Sequence, residues 1–136
     1  MKSQFENWRE QNFTTAQLSN WSYSGDTGDP ANDGTPNLIK YALGLNPNKP
    51  AASGMPVLGQ VALNGKTYLT LTFTEQPALT DITYTVQVSS DLQNWQSGSL
   101  YTVRTDNGTT NTAVFRDLTA IGDAPRHFMR LSIARP

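Results

Sequence analysis

Two groups of residues have types and spacing suited to chemistry, and the first is rich in oxygen. Asp29, Asp33, Gly34 and Asn37 stand at positions 1, 5, 6 and 9 of a stretch that runs straight into a helical pattern. Calcium loops place oxygen ligands at positions 1, 3, 5, 7, 9 and 12, with glycine at position 6 for the turn. Thr35 supplies a carbonyl at position 7, and Asp26 adds an oxygen from upstream. Ala31 at position 3 and Lys40 at position 12 depart from the ligand pattern, and the second puts a cation where a bidentate Glu is expected. The same residues also make an Asx-rich turn that caps the following helix, with carboxylates near its positive end.

The second group is aromatic. Trp21 and Tyr23 lie in Ser19-Asn20-Trp21-Ser22-Tyr23-Ser24, a polar loop with no helical or strand period to bury them. Trp95 follows Asp91-Leu92 near a hairpin, and Tyr68 alternates with Thr70 and Thr72 along an extended run. Exposed rings beside hydroxyl and amide groups suit a sugar, because the ring covers its apolar C–H face while the polar groups satisfy its hydroxyls. Each ring has a plainer role open to it. Trp21 folds inward to cover its loop, Trp95 packs at a sheet edge, and the threonines around Tyr68 express ordinary β-propensity. If the Tyr68 run pairs with the later run, Tyr68, Thr70, Thr72, Thr83, Thr85 and Gln87 share one flat wet face.

Catalysis needs a nucleophile with a base, a carboxylate pair across a cleft, or a metal with an open position. His127, the single histidine, sits between Arg126 and Phe128 at a strand start with no obvious partner. Glu6 and Glu10 share a helix face without a groove, and Glu75, Asp81, Asp91, Asp106, Asp117 and Asp123 fall at strand ends or turns. Without cysteine, disulfides, thiolate chemistry and Cys-ligated zinc are excluded. No phosphate-binding glycine loop, nucleophile elbow or dinucleotide fingerprint occurs. The chain is expected not to be an enzyme.

The elements that position these residues divide into two halves. Residues 1–50 read as helices and loops. Ser3 and Glu6 have the form of a capping box, as do Thr14 and Gln17. Phe5 and Trp8 share a helix face directed to the core, and Arg126, Arg130 and Arg135 read as a solvated strand face. Thr35 caps a helix with Pro36 in its first position, and Gly44 stops it. Residues 51–136 alternate with period two, in Lys66 to Thr74, Ile82 to Val88 and a last strand near His127 to Ile133. Asn64-Gly65 and Asn107-Gly108 are two-residue hairpin signals. Six or seven short strands predict a mainly β chain, an antiparallel β-sandwich behind a short helical, calcium-loop-like N-terminal segment, compact as one domain overall.

With 136 residues, 10 basic against 11 acidic residues, and no apolar run approaching a membrane span, nucleic acid and membrane are not expected partners. Charged residues make up only 15 %, so Thr, Ser, Asn, Gln and Gly build the surface, as in extracellular bacterial β-domains. No signal peptide opens the chain at Met1, so it reads as an excised piece of a longer protein.

The stretch Gly25-Asp26, Asp29-Pro30, Asp33-Gly34, Pro36-Asn37-Leu38-Ile39 and Tyr41-Ala42-Leu43-Gly44-Leu45-Asn46-Pro47 resembles thrombospondin type 3-like calcium loops. Tyr84 to Asp91, Leu92, Trp95 and Arg126 to Leu131 look like the C-terminal β-domain that follows such loops in secreted bacterial proteins. The resemblance implies a secreted, non-catalytic appendage of a larger protein, some examples being carbohydrate-binding modules for β-glucans. The expected function is therefore a module that binds a neutral β-glucan through Trp21, Tyr23, Trp95 and Tyr68. It would carry a covalently linked glycoside hydrolase to plant polysaccharide, with calcium held by Asp26, Asp29, Asp33, Thr35 and Asn37. The alternative is a structural or anchoring C-terminal domain with no sugar ligand, and a small glycosidase comes third.

Overall fold

The computed structural model describes residues 2–136. The chain forms two compact units. The first comprises Met1–Met55, Gln76–Thr83 and Ile133–Pro136, and the second Pro56–Glu75 and Tyr84–Ser132.

Among the described residues the first unit holds four short helices. Helix α1 (Gln4–Asn12) starts where Ser3 Oγ accepts the Glu6 N–H at 3.1 Å. The expected capping box is only half formed, because the Glu6 carboxylate pairs with Arg9 at 2.7 Å instead of turning back. A charge-assisted bond to a guanidinium outweighs one to a backbone amide. The box before α2 (Thr15–Leu18) is complete, with Thr14 and Gln17 each accepting the other's N–H. Residues 21–24, expected as loop, wind into one helical turn, α3 (Trp21–Ser24). Helix α4 (Asn37–Leu43) begins one residue later than expected, with Pro36 as its extended N-cap and no side-chain cap. It ends at Gly44, whose φ of 74° lets the Leu45 N–H reach the Lys40 carbonyl at 2.8 Å.

Rings hold this unit together. Phe5 is fully buried, stacked on Trp8 at 5.5 Å and edge-on to Tyr41 at 5.1 Å; Trp8 continues to Phe13, and Phe13 to Tyr23. Asp81 fastens the 76–83 segment to this cluster, accepting the Phe5 N–H at 2.9 Å and the Tyr41 hydroxyl at 2.6 Å.

The second unit is built on two antiparallel sheets. One has the order β1-β2-β6-β5, with β1 (Val57–Leu63), β2 (Lys66–Thr74), β5 (Thr102–Arg104) and β6 (Thr112–Asp117). The other has the order β4-β3-β7, with β3 (Thr83–Ser89), β4 (Gln96–Ser97) and β7 (Phe128–Ala134). Leu63 pairs with Lys66, and Asn64 and Gly65 both take positive φ, 51° and 80°, as a type I′ turn requires. The second hairpin signal behaves differently. β5 and β6 pair from Thr102 with Asp117 to Arg104 with Phe115, and Asp106 ties the longer loop between them by accepting the Val114 and Gly108 N–H groups.

The strand pairing that would join Tyr68, Thr70 and Thr72 to Thr83, Thr85 and Gln87 in one flat face does not form. Both edges of β2 are occupied, by β1 and by β6, so β3 lies in the other sheet. Phe73 of β2 stacks on Phe115 of β6 and on Tyr84 of β3, each at 5.9 Å. Leu71, Val86, Val88, Ala113 and Met129 are buried in the same unit.

Candidate functional site

The β4-β3-β7 sheet brings an indole, a guanidinium and an amide together. Trp95 stands just before β4, at the end of a turn that is fixed by Asp91. The Asp91 carboxylate accepts the Asn94 and Gln93 N–H groups at 2.8 and 2.9 Å, and also the Asn94 amide and Ser89 hydroxyl. These donors hold its carboxyl well below the usual carboxylate range. Leu92 adopts a left-handed φ of 65°, and its carbonyl accepts the Trp95 indole N–H at 3.3 Å. So positioned, the Trp95 ring carries the Arg130 guanidinium 3.9 Å from its centroid. Arg130 projects from β7 and donates through Nε to Gln87 Oε1 at 2.7 Å, and Gln87 lies on the central strand β3.

The other aromatic candidates fall elsewhere. Tyr68 is half-buried on β2, in the four-stranded sheet, with the Arg116 guanidinium of β6 4.4 Å from its ring centroid. Trp21 and Tyr23 belong to the first unit, on the one-turn helix α3. Trp21 is 49 % exposed, although its ring lies over Gly25 and carries the Arg9 guanidinium at 4.6 Å. Tyr23 is half-buried and edge-on to Phe13 at 5.9 Å. Residues two apart on a helix do not face each other, so Trp21 and Tyr23 present separate surfaces.

The oxygen-rich loop is engaged with itself. Asp29 accepts the Asp33 and Gly34 N–H groups at 3.2 and 2.8 Å. Asp33 accepts the Thr35 N–H through Oδ1 and the Ala51 N–H through Oδ2, at 3.1 and 2.7 Å. The Lys40 ammonium lies 3.0 Å from Asp33 Oδ2, and these groups hold the Asp33 carboxyl far below its ordinary range, Ala51 first and Lys40 next. Asp26 is paired with Arg135 at 2.8 Å. Asn37 is fully buried and its amide donates to the Tyr23 and Gly25 carbonyls. Its Oδ1 is the buried side-chain acceptor left without a donor among the described residues. The Lys40 ammonium holds Asp33 where a metal ion would sit, Arg135 holds Asp26, and Ala31 brings no side-chain oxygen, so the residues as arranged do not fit calcium.

His127 does have a partner. Its Nδ1 contacts the fully buried Asp117 carboxylate, which also accepts the Thr119 N–H at 3.0 Å. The pair lines a cavity of about 450 Å³ with Leu69, Ile121, Pro125 and Arg126. A second cavity, of about 460 Å³, has Tyr84 and Phe115 in its walls beside Ser97, Thr102 and Arg104. Arg104 binds both Glu75 and Asp106, at 2.6 and 2.8 Å. It is the main reason that the Asp106 carboxyl is lowered to about 2, the opposite of what a general acid needs.

Of the arginines expected on a solvated strand face, Arg126 and Arg130 are exposed and Arg135 is half-buried. Arg130 also lies on Trp95, and Arg135 pairs with Asp26 and lies over Phe5 at 4.6 Å. The usable signal was the alternation that set Arg130 and Gln87 on outward positions of their strands; their adjacency depends on strand order, which is not local. No family model, curated protein or solved structure matches the chain.

Proposed function

We propose that the chain is a non-catalytic carbohydrate-binding module that prefers neutral β-glucans and carries an attached, secreted glycoside hydrolase to plant polysaccharide. The observation that supports this reading is the cluster of Trp95, Arg130 and Gln87. Trp95 is half-buried with Arg130 over its ring, so a sugar would gain apolar contact from the part of the ring that Arg130 leaves uncovered, and hydrogen bonds from the guanidinium and amide groups not already spent on each other. Near-equal numbers of basic and acidic residues agree with an uncharged ligand. Within this reading the two sheets form a β-sandwich, supported by the stack of Phe73 on Tyr84.

A structural or anchoring domain without a sugar ligand is the second reading. It is favoured by Tyr23, which packs on Phe13 as a core ring does. Affinity electrophoresis in gels of mixed-linkage glucan, xyloglucan, a soluble cellulose derivative, xylan or mannan separates the two. The module reading expects retardation by a β-glucan that Trp95→Ala weakens about tenfold or more, since burial of an aromatic ring is worth about 1.5–3 kcal/mol. No retardation in any gel supports the structural domain, and retardation unchanged in Trp95→Ala removes the assigned site.

A further inference from the structure

The loop before α4 already contains a cation. Lys40 is the twelfth residue from Asp29, the position at which calcium loops of this spacing carry a bidentate carboxylate. Its side chain is 0 % exposed. The ammonium lies 3.0 Å from Asp33 Oδ2 and donates to the Lys49 carbonyl at 2.8 Å. Asp33 in turn accepts the Ala51 N–H at 2.7 Å. Residues 33, 40, 49 and 51 are thus tied through one buried positive charge.

A buried ammonium is unfavourable unless paired and hydrogen-bonded, and this one has both a carboxylate and a carbonyl. Of the other acidic groups of the stretch, Asp26 is paired with Arg135 and Asp29 is oriented by two backbone N–H groups. Calcium placed on Asp33 would meet the Lys40 ammonium there, and at such distances two cations repel strongly in a site shielded from water.

We infer that Lys40 is the resident cation of this loop: its ammonium does the work that a bound calcium ion does in loops of this spacing, so the fold stands without metal. Substituting a charge borne by the chain for a captured ion removes any dependence on the calcium concentration outside.

The test is thermal unfolding of the full chain in millimolar calcium and in excess chelator, together with Lys40→Met, which keeps the apolar stem and removes the charge. The wild type is expected to melt at the same temperature in both solutions, and Lys40→Met to melt at least about 5 °C lower in both. A wild-type melting temperature raised by calcium overturns the inference, as does a Lys40→Met variant as stable as the wild type. Reductive methylation of the native protein gives an independent reading should that variant not fold. Lys2, Lys49 and Lys66 are exposed and should react, whereas Lys40 should be protected equally with and without calcium. A Lys40 that reacts in chelator and is shielded by calcium overturns it too.

Discussion

Replacing Arg9 by alanine should cost the first unit much of its stability. Arg9 is 6 % exposed and its guanidinium makes four short bonds. It reaches the Ser24 carbonyl at 3.0 Å, the Ser24 hydroxyl at 2.7 Å, the Leu18 carbonyl at 2.9 Å and Glu6 at 2.7 Å. The Ser24 hydroxyl keeps the Gln17 and Asn20 carbonyls as partners, so its loss is small. The two carbonyls that lose their guanidinium donors dominate, at about 1–3 kcal/mol each. The contact with Trp21 adds about 0.5–1 kcal/mol. The sum, about 3–5 kcal/mol after partial rehydration, is a large fraction of the about 5–15 kcal/mol expected for a whole domain. The melting temperature should fall by about 10–20 °C. Glu6→Ala, which breaks a pair with one member exposed to water, should cost under about 1 kcal/mol. Urea denaturation followed by circular dichroism measures all three proteins. An Arg9→Ala midpoint within error of the wild type, or no lower than that of Glu6→Ala, refutes the reasoning.

Two further outcomes follow from the backbone and the carboxylates. Leu92 is exposed and holds a left-handed φ of 65°, which costs a non-glycine residue about 1 kcal/mol. Leu92→Asn suits that conformation and keeps the carbonyl that Trp95 uses, so melting should rise by a few degrees; a lower melting temperature contradicts this. Asp33, Asp91 and Asp106 all have lowered carboxyl pKa values in the fold, Asp106 to about 2. The unfolded chain, with ordinary values of about 4, therefore takes up protons first. The stability these groups contribute is fully present above about pH 4 and drains away as pH falls toward 2. Urea midpoints at neutral pH and near pH 3 should show the loss, and equal midpoints count against it.

Local signals were legible where neighbouring residues decide the outcome. Asn64-Gly65 needs two positive φ angles, which Asn and Gly tolerate, so the turn could be read without knowing its surroundings. Thr14 with Gln17, and Gly44 after α4, are equally local. The Thr67 to Thr74 alternation marked β2 and put Leu71 and Phe73 on the buried side. Partner choice was not legible. Nothing within Ile82 to Val88 says that β2 has no free edge, so the pairing on which a shared threonine face depended could not be excluded locally, and it does not occur. The contact between His127 and Asp117 joins the start of β7 to the end of β6, and the contact between Arg130 and Trp95 also depends on strand order. Trp21-Ser-Tyr-Ser24 has little helical character of its own. Its turn is held by Arg9, fifteen residues before Ser24, whose bonds to the Ser24 carbonyl and hydroxyl no short window could contain.

The four-stranded sheet ends differently on its two sides. On one side β5 is three residues long and carries the ion-paired Arg104, a poor template for a further strand. On the other side β1 runs for seven uncharged residues, Val57 to Leu63, with Val57 and Leu58 62 % and 56 % exposed. Its outer amides and carbonyls face no strand of its own sheet. Of this sheet's two borders, β1 is therefore the one along which copies are expected to pair in concentrated solution. Leu58→Lys, which puts a charge on that border, is expected to reduce association as read by light scattering at high concentration.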